Sequence, residues 1–310
     1  MPCIIALIVF GILGIFSASH RVLAGEAFGC VFRRITLRPC NTGFKEKIKS
    51  KILSKLISRS AFFARLVNKH YELLSWVFFI LFLGSTIWVL RGGYNYYVYG
   101  SCNGLNQSGF CVFDPKGENN KISQINAECG ITLKSEKNVT LDDVDLSSFP
   151  AKNIGSKDTV VFIGCYDCDY SRKAYPDIQR LVTKKNTNYV FAHYPAKNDS
   201  VFLSDIGYCV YKEYGDKFWE FNDYLFTTDK NFILNKANVN KILELFDFDA
   251  EKMNECANSI DAKNAVQNEV NELEKTNLYG TPTVFINGKV FVGPKPYRVY
   301  RSAINKFIFF

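Results

Sequence analysis

The chain has 310 residues, long enough for two domains, and a formal net charge of +8. That charge is local: twelve Lys or Arg stand against Glu26, Glu46 and Glu72 between residues 19 and 72, whereas residues 92–310 hold 25 basic and 27 acidic side chains. Such a balance argues against nucleic acid as a partner and points to membrane lipids, whose anionic headgroups attract a basic juxtamembrane segment.

In chain order, residues 1–18 come first: Pro2 to Ala18 carries no charged side chain and reads as a transmembrane helix or as the apolar region of a secretory signal, although the basic start of a signal is missing. Residues 19–72 form the basic loop, which the positive-inside rule places in the cytoplasm. Within it, Ile48, Ile52, Leu56, Phe63 and Val67 lie at helical spacing among lysines, giving either a basic amphipathic helix on the inner membrane surface or a solvated loop helix. Cys30 and Cys40 read there as reduced thiols. Leu73 to Leu90 is 18 residues without a charge, with Trp76 and Trp88 near its ends, and is expected to span the membrane. Residues 91–310 then lie outside the cytoplasm; cleavage of the first segment as a signal would reverse this topology.

Residues 91–138, rich in Gly and Asn, read as an extracytoplasmic spacer giving reach between membrane and domain. Cys102 and Cys111 flank its Gly- and Asn-rich stretch, a spacing that suits a structural disulfide closing a small loop. Cys209 and Cys256 are a second candidate pair, which leaves Cys129 over, either as a buried, inert thiol or as the true partner of one of these four. The domain, residues 139–310, opens with a weak strand over Val139 to Leu146 and a strong one over Thr159 to Ile163. Asp169 to Lys184 follows as a helix interrupted by Pro176, and Tyr189 to Tyr194 as a strand. Residues 205–277 carry amphipathic segments without strand signals, an all-helical insertion whose stripe Phe218, Trp219, Phe221 and Phe226 is expected in its core. Thr283 to Ile286, Asn287-Gly288 and Val290 to Val292 make a hairpin, and Tyr297 to Phe307 a closing helix. Asn-x-Ser/Thr sites at Asn106, Asn138 and Asn198 permit glycosylation.

The motif that carries chemistry is Cys165-Tyr166-Asp167-Cys168, at the end of the strong strand and the start of a helix. Two cysteines so spaced can close and reopen a disulfide, because the free N–H groups and dipole of the helix N-terminus stabilise an attacking thiolate. Half of a zinc site or a structural staple are the other readings of such a pair. No second close pair completes four metal ligands, and no metal, nucleotide or flavin motif is present, so no cofactor is expected. His193, ending a strand beside Pro195, reads as structural.

The order strand, cysteine turn, helix, strand, helical insertion, Thr281-Pro282-Thr283, hairpin, helix resembles the DsbA-like branch of the thioredoxin superfamily. The most specific parts are the cysteine turn, Lys217-Phe-Trp-Glu-Phe221 and Gly280-Thr-Pro-Thr-Val-Phe-Ile-Asn-Gly288. The resemblance implies an α/β thioredoxin-like fold with an all-helical insertion, which the two apolar runs above would precede as transmembrane helices. It implies a protein thiol-disulfide oxidoreductase acting on exported proteins, with a redox partner protein or small thiol. It further implies a cis peptide before Pro282, with Thr281 and Pro282 presenting substrate backbone.

One departure matters. The family places its helix proline five residues after the second cysteine; counting back from Pro176 gives Ser171, so the pair falls on Cys168 and Ser171, and Cys165 lies three residues before the usual nucleophile. Either Cys168 is the nucleophile and Cys165 an unusual resolving thiol, or Cys168 works alone. Asp167 and Asp169 oppose a thiolate at Cys168, which points to a less oxidising couple than a typical DsbA. A non-catalytic alternative is a thioredoxin-like binding or scaffold domain with Cys165 and Cys168 as a permanent staple.

Overall fold

The computed structural model describes residues 15–36, 61–124, 138–195 and 200–304, with isolated positions between 43 and 57. The chain divides into two compact units, Met1–Leu90 and Arg91–Phe310. In the first unit lies α1 (Ala18–Ile35), where Leu23, Ala27 and Cys30 are buried at i, i+4, i+7 spacing. Cys30, read above as a reduced thiol, is disulfide-bonded. The helix α2 (Ala61–Tyr99) starts in the first unit and ends in the second, with a break in helical geometry at His70 (φ −112°, ψ 22°). Most of the expected first span, Ile48, Ile52 and Leu56 of the expected amphipathic helix, and all of Cys40, Cys129 and Asn198 lie outside the described residues. Among the described residues no helix is long and apolar enough to cross a membrane. Side chains at 71, 72, 75, 78 and 79, several of them inside the expected second span, fall outside that description.

The second unit is built on a five-stranded sheet in the order β2 (Ala151–Lys152), β4 (Asn188–His193), β3 (Thr159–Gly164), β6 (Thr283–Ile286), β7 (Lys289–Val292). Only β3 and β4 run parallel. The helix α3 (Asp169–Lys185) makes the crossover between them and runs on through Pro176, the expected site of interruption. Apolar residues occupy nearly every position of β3 because both faces of the sheet are covered. Val160 and Phe162 join one buried cluster, with Tyr175, Phe191 and residues of the insertion; Val161 and Ile163 join the other, with Phe149, Phe285 and Leu273. The tight β6–β7 turn is made by Asn287 (φ 51°) and Gly288 (φ 80°), the left-handed pair that a two-residue hairpin requires.

Between β4 and the last strands the described residues form the α-helices α4 (Val201–Tyr214), α5 (Phe218–Thr227), α6 (Lys230–Ile233), α7 (Lys236–Leu245), α8 (Ala250–Asn258) and α9 (Ile260–Glu274). Asp229, Asn235, Asp249 and Ser259 cap α6 to α9 by accepting backbone N–H bonds. A Cys209–Cys256 disulfide, S–S 1.99 Å, ties α4 to α8. Phe218, Phe221 and Phe226 are buried and Trp219 half-buried against Tyr189, so the aromatic stripe lies in the core. The helix α10 (Tyr297–Ile304) packs along α3.

Two further expectations fail. Residues 138–150 form loops and turns rather than a strand, with Asp143 at φ 63°. Their apolar side chains Val139, Leu141 and Leu146 still reach the second buried cluster, which accounts for the apolar pattern without a ladder. The spacer also does not supply reach. Arg91–Tyr99 continue α2, a Cys102–Cys111 disulfide (2.07 Å) closes the next loop, and residues 106–124 fold back onto the domain. Asn106 donates to Val290 O at 3.0 Å and accepts from Val292 N–H at 2.8 Å, so this glycosylation site is committed to the outer edge of β7. The spacer also contributes β1 (Ser123–Gln124), which pairs antiparallel with β5 (Gly280–Thr281).

Candidate active site

The site lies where β3 ends and α3 begins. Cys168 is the N-cap of α3, in extended backbone (φ −89°, ψ 114°), and its sulfur accepts the Ser171 N–H at 3.3 Å. Its thiol donates to Thr281 O at 3.3 Å, next to the cis peptide between Thr281 and Pro282. The hydroxyl of Ser123, from β1, donates to the same sulfur at 2.9 Å. Three segments distant in sequence therefore converge on Cys168, which is 1% exposed.

Cys165 is one turn earlier and fully buried. The Cys168 N–H bonds to Cys165 O at 3.1 Å, closing residues 165–168 into a β-turn. Such a turn holds its end Cα atoms within about 7 Å, the range a disulfide spans. Both residues are held as thiols. The Cys165 sulfur lies 3.3 Å from Ser200 Oγ, and its backbone N–H donates to Ser171 Oγ at 3.2 Å. Ser171, the residue counted back five from Pro176, is thus a buried hydroxyl that ties the turn to the first turn of α3.

The turn is held by more than the sequence suggested. Tyr166 is buried beneath it, its ring 4.8 Å from Phe226 and 5.7 Å from Phe191, and its hydroxyl donates to Asn222 Oδ1 at 2.7 Å. Asn222, itself buried, passes the network on to Tyr175. Arg172 donates to Tyr166 O (3.2 Å), Leu225 O (2.9 Å) and Thr228 O, clamping the turn to α5. His193 stands at the end of β4, paired with Gly164 at the end of β3, so the parallel register brings it to the cysteine turn. It accepts the Tyr166 N–H at 3.5 Å on Nε2, which leaves Nδ1–H to donate to Ser204. Burial pushes its pKa down to about 3, so it is a neutral positioning residue at ordinary pH. Its place beside the turn, which the sequence reading did not anticipate, was not legible from its local sequence.

The two acidic neighbours of Cys168 are not left uncompensated. Lys230, from the insertion, lies 2.8 Å from Asp169 and 3.8 Å from Asp167. The expectation of a couple less oxidising than a typical DsbA took these two carboxylates as uncompensated, and that premise changes with Lys230 beside them. Cys102, Cys111, Cys209 and Cys256 lie in their two disulfides, apart from this turn. Among the described residues no group of His, Cys, Asp and Glu is placed to hold a metal.

Residues 153–306 match the family described as Thioredoxin. Solved structures similar to the chain include a thioredoxin-like oxidoreductase from Silicibacter pomeroyi DSS-3 (20% identity, 51% of this chain and 91% of that one, TM-score 0.46). Others are the thiol-disulfide exchange protein alpha-DsbA2 from Wolbachia pipientis (19%, 51% and 86%, 0.45) and BdbD from Bacillus subtilis (20%, 54% and 95%, 0.45). Among curated proteins, Na(+)/H(+) antiporter NhaA 1 of Salinispora arenicola (strain CNS-205) is 29% identical over 136 residues, 42% of this chain. That match spans only a fifth of the antiporter's length. With the sheet order, the cysteine turn and the cis proline in place, residues 153–306 form a thioredoxin-like domain.

Proposed function

We propose that this domain is a thiol-disulfide oxidoreductase for exported polypeptides, with Cys168 as nucleophile and Cys165 as resolving thiol. The observation that carries the reading is the Cys168 sulfur at the N-terminus of α3, facing Thr281 O beside the cis peptide, with Cys165 closing the same β-turn. In the reducing direction the Cys168 thiolate attacks one sulfur of a substrate disulfide, forming a mixed disulfide and releasing the other sulfur as a thiolate. Cys165, having given up its proton, then attacks the Cys168 sulfur; the mixed disulfide breaks, the substrate leaves with two thiols, and the two electrons it gained leave a Cys165–Cys168 disulfide behind. The oxidising direction is the reverse, and a partner protein or small thiol resets the pair. Thr281 and Pro282 present the substrate backbone.

The domain is anchored to the membrane with its cysteine turn on the extracytoplasmic side. Leu73 to Leu90 supports the anchor: it carries no charge, and Ile80, Leu81, Ile87, Trp88 and Leu90 are each more than 60% exposed, a cost in water that lipid removes. A Cys165→Ser variant offered a peptide disulfide should accumulate a mixed disulfide at Cys168, while Cys168→Ser accumulates none. Trapping at Cys165 instead, or at neither residue, would refute the assignment.

A further inference from the structure

The strand edge beside Cys168 is not empty. Ser123 pairs with Thr281 and Gln124 with Gly280, antiparallel, so the chain's own spacer lies along the edge next to the cis peptide. The approach is close enough to need a residue without a side chain: a Cβ at Gly280 would fall 2.5 Å from Ser123 O and 2.8 Å from Ile122 Cδ1. The preceding residues are tied down. Glu118 pairs with Lys173 at 2.5 Å, and the buried Lys295 donates to Asn119 O at 2.8 Å and to Asn120 Oδ1. At Gly293 a Cβ would stand 2.9 Å from the Asn120 backbone. Residues 122–124, by contrast, hold the edge through a two-residue ladder and the Ser123 hydroxyl.

We infer that Ile122–Gln124 is an intramolecular pseudosubstrate, resting on the oxidoreductase reading above. Ser123 differs from cysteine by oxygen for sulfur, and its Oγ stands 2.9 Å from the Cys168 sulfur, where the reacting sulfur of a client would stand. The client class follows: an extended polypeptide that adds as an antiparallel strand at Gly280–Thr281 and brings a cysteine to the place of Ser123. Such a client must first displace residues 122–124, because Cys168 is 1% exposed beneath them. The strap is an imperfect occupant. Thr281 Oγ1, on the same edge, is buried without a hydrogen-bond partner among the described residues, a penalty that a client offering a polar group there would remove.

Two measurements on the 310-residue chain test this. In a Cys165→Ser background, Ser123→Cys treated with oxidised glutathione should form a disulfide between the introduced thiol and Cys168: two thiols give up two protons and two electrons, and glutathione disulfide leaves as two molecules of glutathione. Absence of that bond overturns the placement. Separately, replacing residues 122–124 with glycines should raise the rate of Cys168 alkylation by iodoacetamide about tenfold or more, as release of a local cover does. An unchanged rate, with the cross-link also absent, removes the inference while leaving the dithiol chemistry intact. If alkylation rises but Cys168 still exchanges with no disulfide, the strap stands and the oxidoreductase reading falls.

Discussion

The cysteine turn and the strap that covers it meet at one sulfur but are held very differently. Residues 165–168 are fixed from beneath by the Tyr166 ring and hydroxyl, by three carbonyl bonds from Arg172 and by His193. Residues 122–124 rest on two paired residues and one hydroxyl. Buried aromatic packing with a satisfied polar network resists rearrangement, whereas a short edge ladder opens at little cost. A rigid cysteine turn under a displaceable cover follows from that difference, and it can be broken from either side.

The largest effect is expected on the turn. Tyr166→Ala removes a buried ring from the Phe191–Phe226 cluster and strands Asn222, and should destabilise the domain by about 3–5 kcal/mol in denaturant unfolding. A loss under about 1 kcal/mol would show that the turn is not anchored through this ring. His193 gives the turn a pH signature. Its pKa falls from the ordinary 6.5 to about 3 in the folded state, so between those values the unfolded chain holds a proton that the folded one does not. Its contribution is complete above about pH 6.5 and is lost as pH falls toward 3, with a slope of at most about 1.4 kcal/mol per pH unit. The difference in stability between the native chain and His193→Asn should shrink across that window; a constant difference would mean that His193 titrates normally.

On the strap the effects are smaller. Gly280→Ala puts a methyl where Ser123 O now lies and should cost about 1 kcal/mol, since a two-residue ladder can shift aside, while Cys168 becomes more reactive to iodoacetamide. Slower alkylation would place the restraint elsewhere. Glu118→Gln breaks an ion pair whose side chains are nearly half exposed, and should leave the denaturant midpoint nearly unchanged. A clear loss would make the anchor of the strap as firm as the turn.

The turn was legible where local chemistry is strong. A continuous apolar run, a cysteine pair at its end and an Asn-Gly hairpin downstream mark β3, the N-cap of α3 and β6–β7. The strap was not legible, because two residues of a Gly- and Asn-rich spacer carry no alternation and their partner lies more than 150 residues away. Apolar alternation in 139–146 misled for the opposite reason: those side chains are partly buried, but in a loop that packs without pairing. His193 was recoverable in principle, since two parallel strands that end together bring their last residues to the same turn. The compensation by Lys230 was not, because it comes from the insertion and depends on how α6 sits against α3.

The measurement that tests the central claim most directly is mass mapping of the thiols across a graded glutathione redox buffer, with Cys165→Ser and Cys168→Ser as controls. Reversible interconversion of Cys165 and Cys168 between dithiol and disulfide at one defined potential, with Cys102–Cys111 and Cys209–Cys256 unchanged, is the expected result. A Cys165–Cys168 bond that never opens, or a Cys168 that forms only mixed disulfides, would contradict it.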